Sequence, residues 1–230
     1  MDAIDQKSFA TPVAYRAALA SGSLGVLAAG CLIAADQLRA WRVASRPVVR
    51  FLFSSHDVAT IFQSMLLVLA IVVAHRIYRQ RLAGVGLGSV VVSVTALSAI
   101  ALLQALRLVN IGPDTLYMVP QGLLGICLVV TNVRARKVLP APVVGVGVVA
   151  GLGLVMIAAS LLVVIGYFGL GALSGPIRAS DEQARRVNRI VHLNLDAGTL
   201  LGKPAYPVWI LLVARALHLR APRDRFSGTL

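Results

Sequence analysis

An all-α, polytopic transmembrane bundle of about six spans is the fold class this sequence predicts, on three observations. Of 230 residues, 58% are hydrophobic and 13% charged, about half the charged share of an ordinary soluble domain. The apolar residues fall into six runs, each long enough to approach or exceed the roughly 20 residues a helix needs to cross a bilayer. The basic residues behind the formal charge of +13 stand in short clusters between those runs, the pattern of membrane flanks. A nucleic-acid binder would gather them on one polar face, so nucleic acid is excluded as a partner and membrane lipids take its place. Mean hydropathy, at +0.83, agrees.

Residues 1 to 13 are short and mixed, and Pro12 is expected to end any local helix. The first span runs from about 15 to 36, with Ser21, Gly25 and Ala29 at four-residue spacing for close helix contact. Leu27 to Cys31 loosely matches a lipoprotein cleavage site, but Ala28 stands where leucine is usual and more spans follow. The first span is therefore read as retained. Residues 37 to 55 mix Arg39, Arg42, Arg46 and Arg50 with Trp41, Phe51 and Phe53. That mixture predicts a helix in the interface, aromatics buried and arginines reaching outward.

The second span covers about 56 to 78 and ends in a basic cluster. The third covers 84 to 108 and closes with Gln104 and Arg107. After the Gly112-Pro113-Asp114 turn the fourth runs from about 115 to 133, with a bend expected at Pro120. Arg134, Arg136 and Lys137 precede Pro140 and Pro142 in a sharp loop. The fifth run, 143 to 173, exceeds one crossing and must tilt, kink or leave a tail in the interface. Its Gly147 and Gly151 predict packing against a neighbouring helix, with a helix-packed homo-oligomer as the other use of such a motif. Residues 174 to 193 predict an interfacial amphipathic helix in the fifth loop. The sixth span, about 195 to 217, carries Asp196, Lys203, Pro204 and Pro207 inside an otherwise apolar run. The whole chain, 1 to 230, reads as a single transmembrane domain.

Cys31 and Cys127 lie in apolar runs with no CxxC spacing, and the four histidines are scattered, so neither a metal site nor a cofactor is expected. Counting Lys and Arg near the spans gives twelve on the side of the termini and nine on the other. That bias places both termini in the cytoplasm of a multi-pass cell-membrane protein.

With six spans, the ends of helices 1, 3 and 5 meet the starts of helices 2, 4 and 6 on one face. Asp36, Asp57, Asp114 and Asp196 then lie at similar depth. Helical spacing groups Asp57 with Thr60 and Ser64, Asp114 with Tyr117 and Gln121, Gln104 with Arg107, and Asp196 with Thr199, Lys203 and Tyr206. Such stripes turn inward, because polar groups facing lipid lack partners. The expectation is a polar cavity open toward the outer leaflet. Simpler readings stand beside it. Ser54 can cap a helix with Asp57 in its first turn, and Asp114 can be an N-cap. Asp36 can pair with Arg39 one turn on. Arg107 can reach the headgroups, and Lys203 can pair with an aspartate between helices. Pro204 and Pro207 leave the carbonyls of Leu200 and Lys203 without their helical donors, which suits a cavity wall.

Arg134-Ala-Arg-Lys-Val-Leu-Pro140 and Tyr206-Pro-Val-Trp-Ile-Leu-Leu-Val-Ala-Arg215 resemble segments of small six-span bacterial membrane proteins, most of them of unassigned activity; the resemblance implies a helical bundle. The chain also resembles, more distantly, bacterial integral-membrane terpene cyclases, which are short, helical and poor in motifs. That likeness implies an enzyme in which a membrane-embedded carboxylate, Asp57 or Asp196, protonates an isoprenoid. Tyr117, Tyr206 and Trp209 would face developing cations, and Lys203 and Arg107 would hold a polar head, with Gln104, Gln121, Asp114 and Asp36 around them. No Walker loop, GxSxG, HExxH or Asp-rich diphosphate motif is present. The non-enzymatic alternative is a small carrier, lipid-binding or accessory protein with a polar intramembrane pocket.

Overall fold

The computed structural model of the protein describes residues 3–41, 45–78, 86–111, 116–169 and 182–220. Six long helices occupy them: α1 (Ala3–Ala40), α2 (Arg46–Tyr78), α3 (Leu87–Leu108), α4 (Met118–Arg134), α5 (Ala141–Phe168) and α6 (Glu182–Arg220). A short 3-10 turn, Ala135–Lys137, follows α4. All six helices are long and apolar enough to cross a membrane. The fold is the all-α six-span bundle of a multi-pass membrane protein.

Local sequence sets most of the helix ends. Pro47 is the second residue of α2 and Pro142 the second of α5, where a missing N–H costs no helical bond. At the end of α3, Asn110 takes a left-handed φ of 57°. Its N–H bonds the carbonyl of Arg107, and that of Ile111 bonds Leu106, the paired bonds of a Schellman cap. Gly169, at φ 75°, stops α5.

Four features differ from the sequence reading. Pro12 lies inside α1 rather than ending a helix. Pro120 is the third residue of α4, where its absent N–H is one of the four that have no partner in any helix, so the reason to expect a bend there disappears. The basic stretches on either side of residues 42–44 are helical, but as extensions of α1 and α2 rather than as a separate interfacial helix. Residues 182–193 likewise form the first turns of α6, while 174–181 lie outside the described residues. At 1.5 Å per residue, the 38 residues of α1 and 39 of α6 each reach almost twice the roughly 30 Å hydrocarbon thickness. The overhanging turns carry the arginines.

Each helix packs against its neighbours in sequence, and α6 closes onto α1. The result is a ring of six helices around a common interior. The seam between first and last helix is marked by Tyr15 stacked on His218, ring centroids 4.8 Å apart. Leu97, Leu128, Leu154, Ile157 and Ile210 fill the interior. Large apolar side chains such as Phe62, Leu102, Leu162 and Leu200 face outward, as lipid contact requires.

Close approach in the ring rests on small residues. A Cβ on Gly151 would meet the carbonyl oxygen of Gly125 at 2.6 Å, and one on Gly147 would strike the Asn132 amide, so both glycines of the fifth-span motif serve α4 of the same chain. Gly153 on α5 abuts the backbone of Gly202, and Gly198 lies 2.8 Å from the Gly153 carbonyl oxygen by the same measure. Polar clasps add to this. Trp209 Nε1 donates to Asn132 Oδ1 at 3.1 Å, joining α6 to α4. Asn194 Nδ2 donates to Ser160 Oγ at 3.0 Å and to the Met156 carbonyl at 3.1 Å, joining α6 to α5. Each interhelical bond of this kind contributes about 0.6 to 2 kcal/mol in membranes.

Replacing Gly153 by leucine is therefore expected to force α5 from α6 and destabilise the detergent-solubilised protein by at least about 3 kcal/mol, the upper range for overpacking, because backbone must move. Gly30→Ala, at a position with nothing within 4 Å, is expected to be neutral or stabilising by up to about 1 kcal/mol. Thermal unfolding of the two variants side by side checks the contrast.

Candidate functional site

The interior of the ring is polar at one level. On α2, His56, Asp57, Thr60, Gln63 and Ser64 are all buried. Their spacing of three and four residues places them on one inward stripe. Thr60 Oγ1 donates to the carbonyl of His56 at 2.8 Å, so its hydroxyl is met within its own helix. Against α1, the His56 Nδ1–H donates to the Ala28 carbonyl at 2.9 Å, because a carbonyl can only accept. Ser21 Oγ donates to the Gln63 carbonyl at 2.8 Å. Gly25 lies between these two contacts, its missing side chain leaving room for the Gln63 amide and Pro207.

Asp57 is 4% exposed and sits eleven residues after Arg46, the first residue of α2. It is three turns into the helix, so the first-turn capping role does not hold. Arg107 of α3 brings Nη1 to 3.5 Å from Asp57 Oδ1, a contact at the long edge of hydrogen bonding. The Arg107 side chain keeps 27% exposure. Lys203 of α6 sets its ammonium over the ring of Tyr117, the residue that precedes α4, 5.6 Å from the centroid, a cation–π contact. Asp57, Arg107, His56 and Lys203 lie within electrostatic range of one another.

These groups border a cavity of about 40 Å³ to which all six helices contribute. Its polar lining is His56, Thr60, Gln63 and Ser64 from α2, Gln121 from α4, and Lys203 and Tyr206 from α6. Gly25 and Ala28 of α1, Ile100 of α3 and Leu154 of α5 supply apolar wall. Gln63 Nε2, Gln121 Oε1 and Tyr206 OH are buried there without a hydrogen-bond partner among the described residues. Gln104, fully buried on α3, has both amide atoms in the same condition. It stands one turn from Ile100 and one from Arg107, between the cavity wall and the ion pair.

The sequence-derived candidates divide accordingly. Lys203, Tyr206 and Gln121 line the cavity. Asp57, Arg107 and Tyr117 flank it through the contacts above, and Gln104 lies behind its wall. Trp209 does not line it; its indole N–H is committed to Asn132, and its ring lies 6.4 Å from that of Tyr206. Asp36 and Asp196 are exposed, within electrostatic range of each other, and neither lines the cavity. The α6 stripe therefore splits, with Asp196 outside and Lys203 and Tyr206 inside. Asp114 lies outside the described residues. His56, Gln63 and Asn132 were absent from the sequence-derived set. The spacing of His56, Thr60 and Gln63 at i, i+4 and i+7 was the available signal for the first two.

Removing one member of a buried ion pair leaves an uncompensated charge, at about 3–5 kcal/mol when burial is complete. With the arginine side chain partly exposed, Arg107→Met is expected to cost on the order of 2 kcal/mol of stability. The double change Arg107→Met with Asp57→Asn should recover part of that loss in thermal unfolding. Comparison with family models, with curated proteins and with solved structures returns no match for this chain.

Proposed function

We propose that the protein binds a small polar solute at the centre of its helix ring, as a carrier, lipid-binding or accessory protein of the cell membrane with both termini in the cytoplasm. One observation carries this reading. Gln63 Nε2, Gln121 Oε1 and Tyr206 OH surround the same cavity, buried and without a partner among the described residues. An unsatisfied buried polar group costs about 1–3 kcal/mol, and an occupant that bonds all three removes that cost in one event. The size of the cavity supports the same reading. At about 40 Å³, and roughly 10–15 Å³ per water-sized occupant, it admits a molecule of about three or four non-hydrogen atoms.

A second reading keeps the enzyme. Asp57, a carboxylate buried within an apolar span, favours protonation-initiated chemistry on an isoprenoid. In that reading the hydrocarbon would have to lie between helices, since the cavity is far smaller than an isoprenoid chain. Asp57 would also have to release the contact with Arg107 to reach the substrate.

Calorimetric titration of the protein in nanodiscs with formate, urea and similar solutes separates the two. Saturable binding, weakened about tenfold by Gln63→Leu or Gln121→Leu, is the expected result. Absence of binding by every such solute, with an isoprenoid product that vanishes from membranes carrying Asp57→Asn, would move the assignment to the enzyme.

A further inference from the structure

The polar groups at the cavity differ in kind, and the difference names the charge of the occupant. Lys203 brings an ammonium to the wall. Among the described residues its contact is the face of Tyr117, 5.6 Å from the centroid. A ring face attracts the cation but offers no lone pair to its three N–H groups. Two further donors converge on the same space, Gln63 Nε2 and Tyr206 OH, both buried and unpartnered.

Among the described residues, the acidic group within range of Lys203 is already engaged. Asp57 lies within electrostatic range but holds Arg107 at 3.5 Å, and it does not line the cavity. Among the described residues of the cluster, Arg107 and Lys203 face the single carboxylate of Asp57, leaving one positive charge over. The His56 Nδ1–H is spent on the Ala28 carbonyl. Among the described lining residues, Gln121 Oε1 is an unpartnered carbonyl acceptor, and a half-turn of that amide exchanges its oxygen for its NH₂ donor.

Building on the small-solute reading above, we infer that the occupant is a small monovalent oxyanion of three or four non-hydrogen atoms, of the carboxylate class. Its charge pairs with Lys203, and its oxygens accept from Gln63 Nε2 and Tyr206 OH. Charge-assisted bonds of this kind are shorter and stronger than neutral ones, and in a water-poor interior they strengthen further. Planar oxygens suit the arrangement, because one oxygen can meet the ammonium while the other meets a neutral donor.

The probes are formate and urea, both planar and of similar size, one charged and one neutral. Each is titrated calorimetrically into the full-length protein in nanodiscs, in a buffer whose anion is too large for the cavity. The inference expects saturable formate binding with urea at least tenfold weaker. Lys203→Met should weaken formate by roughly tenfold to a hundredfold, the range of a hydrogen bond to a charged group. Tyr206→Phe, which removes only a hydroxyl, should weaken it several-fold, and it decides the matter should Lys203→Met not purify folded. Urea binding without formate binding, or formate binding unchanged in both variants, overturns the anion while leaving the pocket standing. Binding of neither probe overturns the pocket itself.

Discussion

A helix in hydrocarbon cannot leave a polar side chain facing outward without losing its partners, and that constraint governs the whole arrangement. α2 carries His56, Asp57, Thr60, Gln63 and Ser64 within an apolar span, and each of these side chains is buried. Only an interior shared with other helices can receive them. The ring supplies that interior. Ala28 accepts from His56, Ser21 bonds the backbone at Gln63, and Arg107 meets Asp57. The glycines then set how close the helices come. At Gly153 and Gly202 the backbones of α5 and α6 are in contact, which carries Lys203 and Tyr206, one to four residues further on, to the same level as the α2 stripe.

The site is consequently not an addition to the fold. Its lining comes from every helix, so the packing that stabilises the ring also determines what the cavity admits. Apolar layers on Leu128, Leu154 and Ile210 surround a polar centre. In such a setting a satisfied polar network specifies one arrangement, whereas a half-satisfied one is costly. Among the described residues, the amides of Gln63, Gln104 and Gln121 each keep an atom that this network does not reach.

Much of this was legible from hydropathy. Six apolar runs gave six helices, because length and composition alone decide whether a helix can cross a bilayer. Lys203 was legible as well, since a charge beside two prolines stands out against an apolar run. The helix ends were harder to place. Residues 46–55 and 182–193 are polar or mixed, and nothing in them breaks a helix, so the helices continue past the membrane thickness that hydropathy measures. Asp57 and Arg107 were each conspicuous, but their pairing depends on which faces of α2 and α3 meet. The linear sequence does not carry that information. His56 lay at the expected edge of a span, as one of four scattered histidines. With α2 extended back to Arg46 it becomes an interior residue. Gln63 was hidden because one neutral amide barely alters the mean hydropathy of an apolar run.

The stacking of Tyr15 on His218 bears on how such a chain is made. A ring closed by α1 and α6 has no enclosed interior until α6 arrives. During synthesis the inward stripe of α2 is present long before α6, and before Lys203, Tyr206 and the second wall of the cavity exist. Until then the contacts of His56 with α1 and of Asp57 with α3 are the ones open to that stripe, and its Gln63 amide still lacks the wall that α6 supplies. α6 does not merely pack on α1; it brings Lys203 and Tyr206 to the polar stripe of α2 and so closes the interior in which that stripe lies.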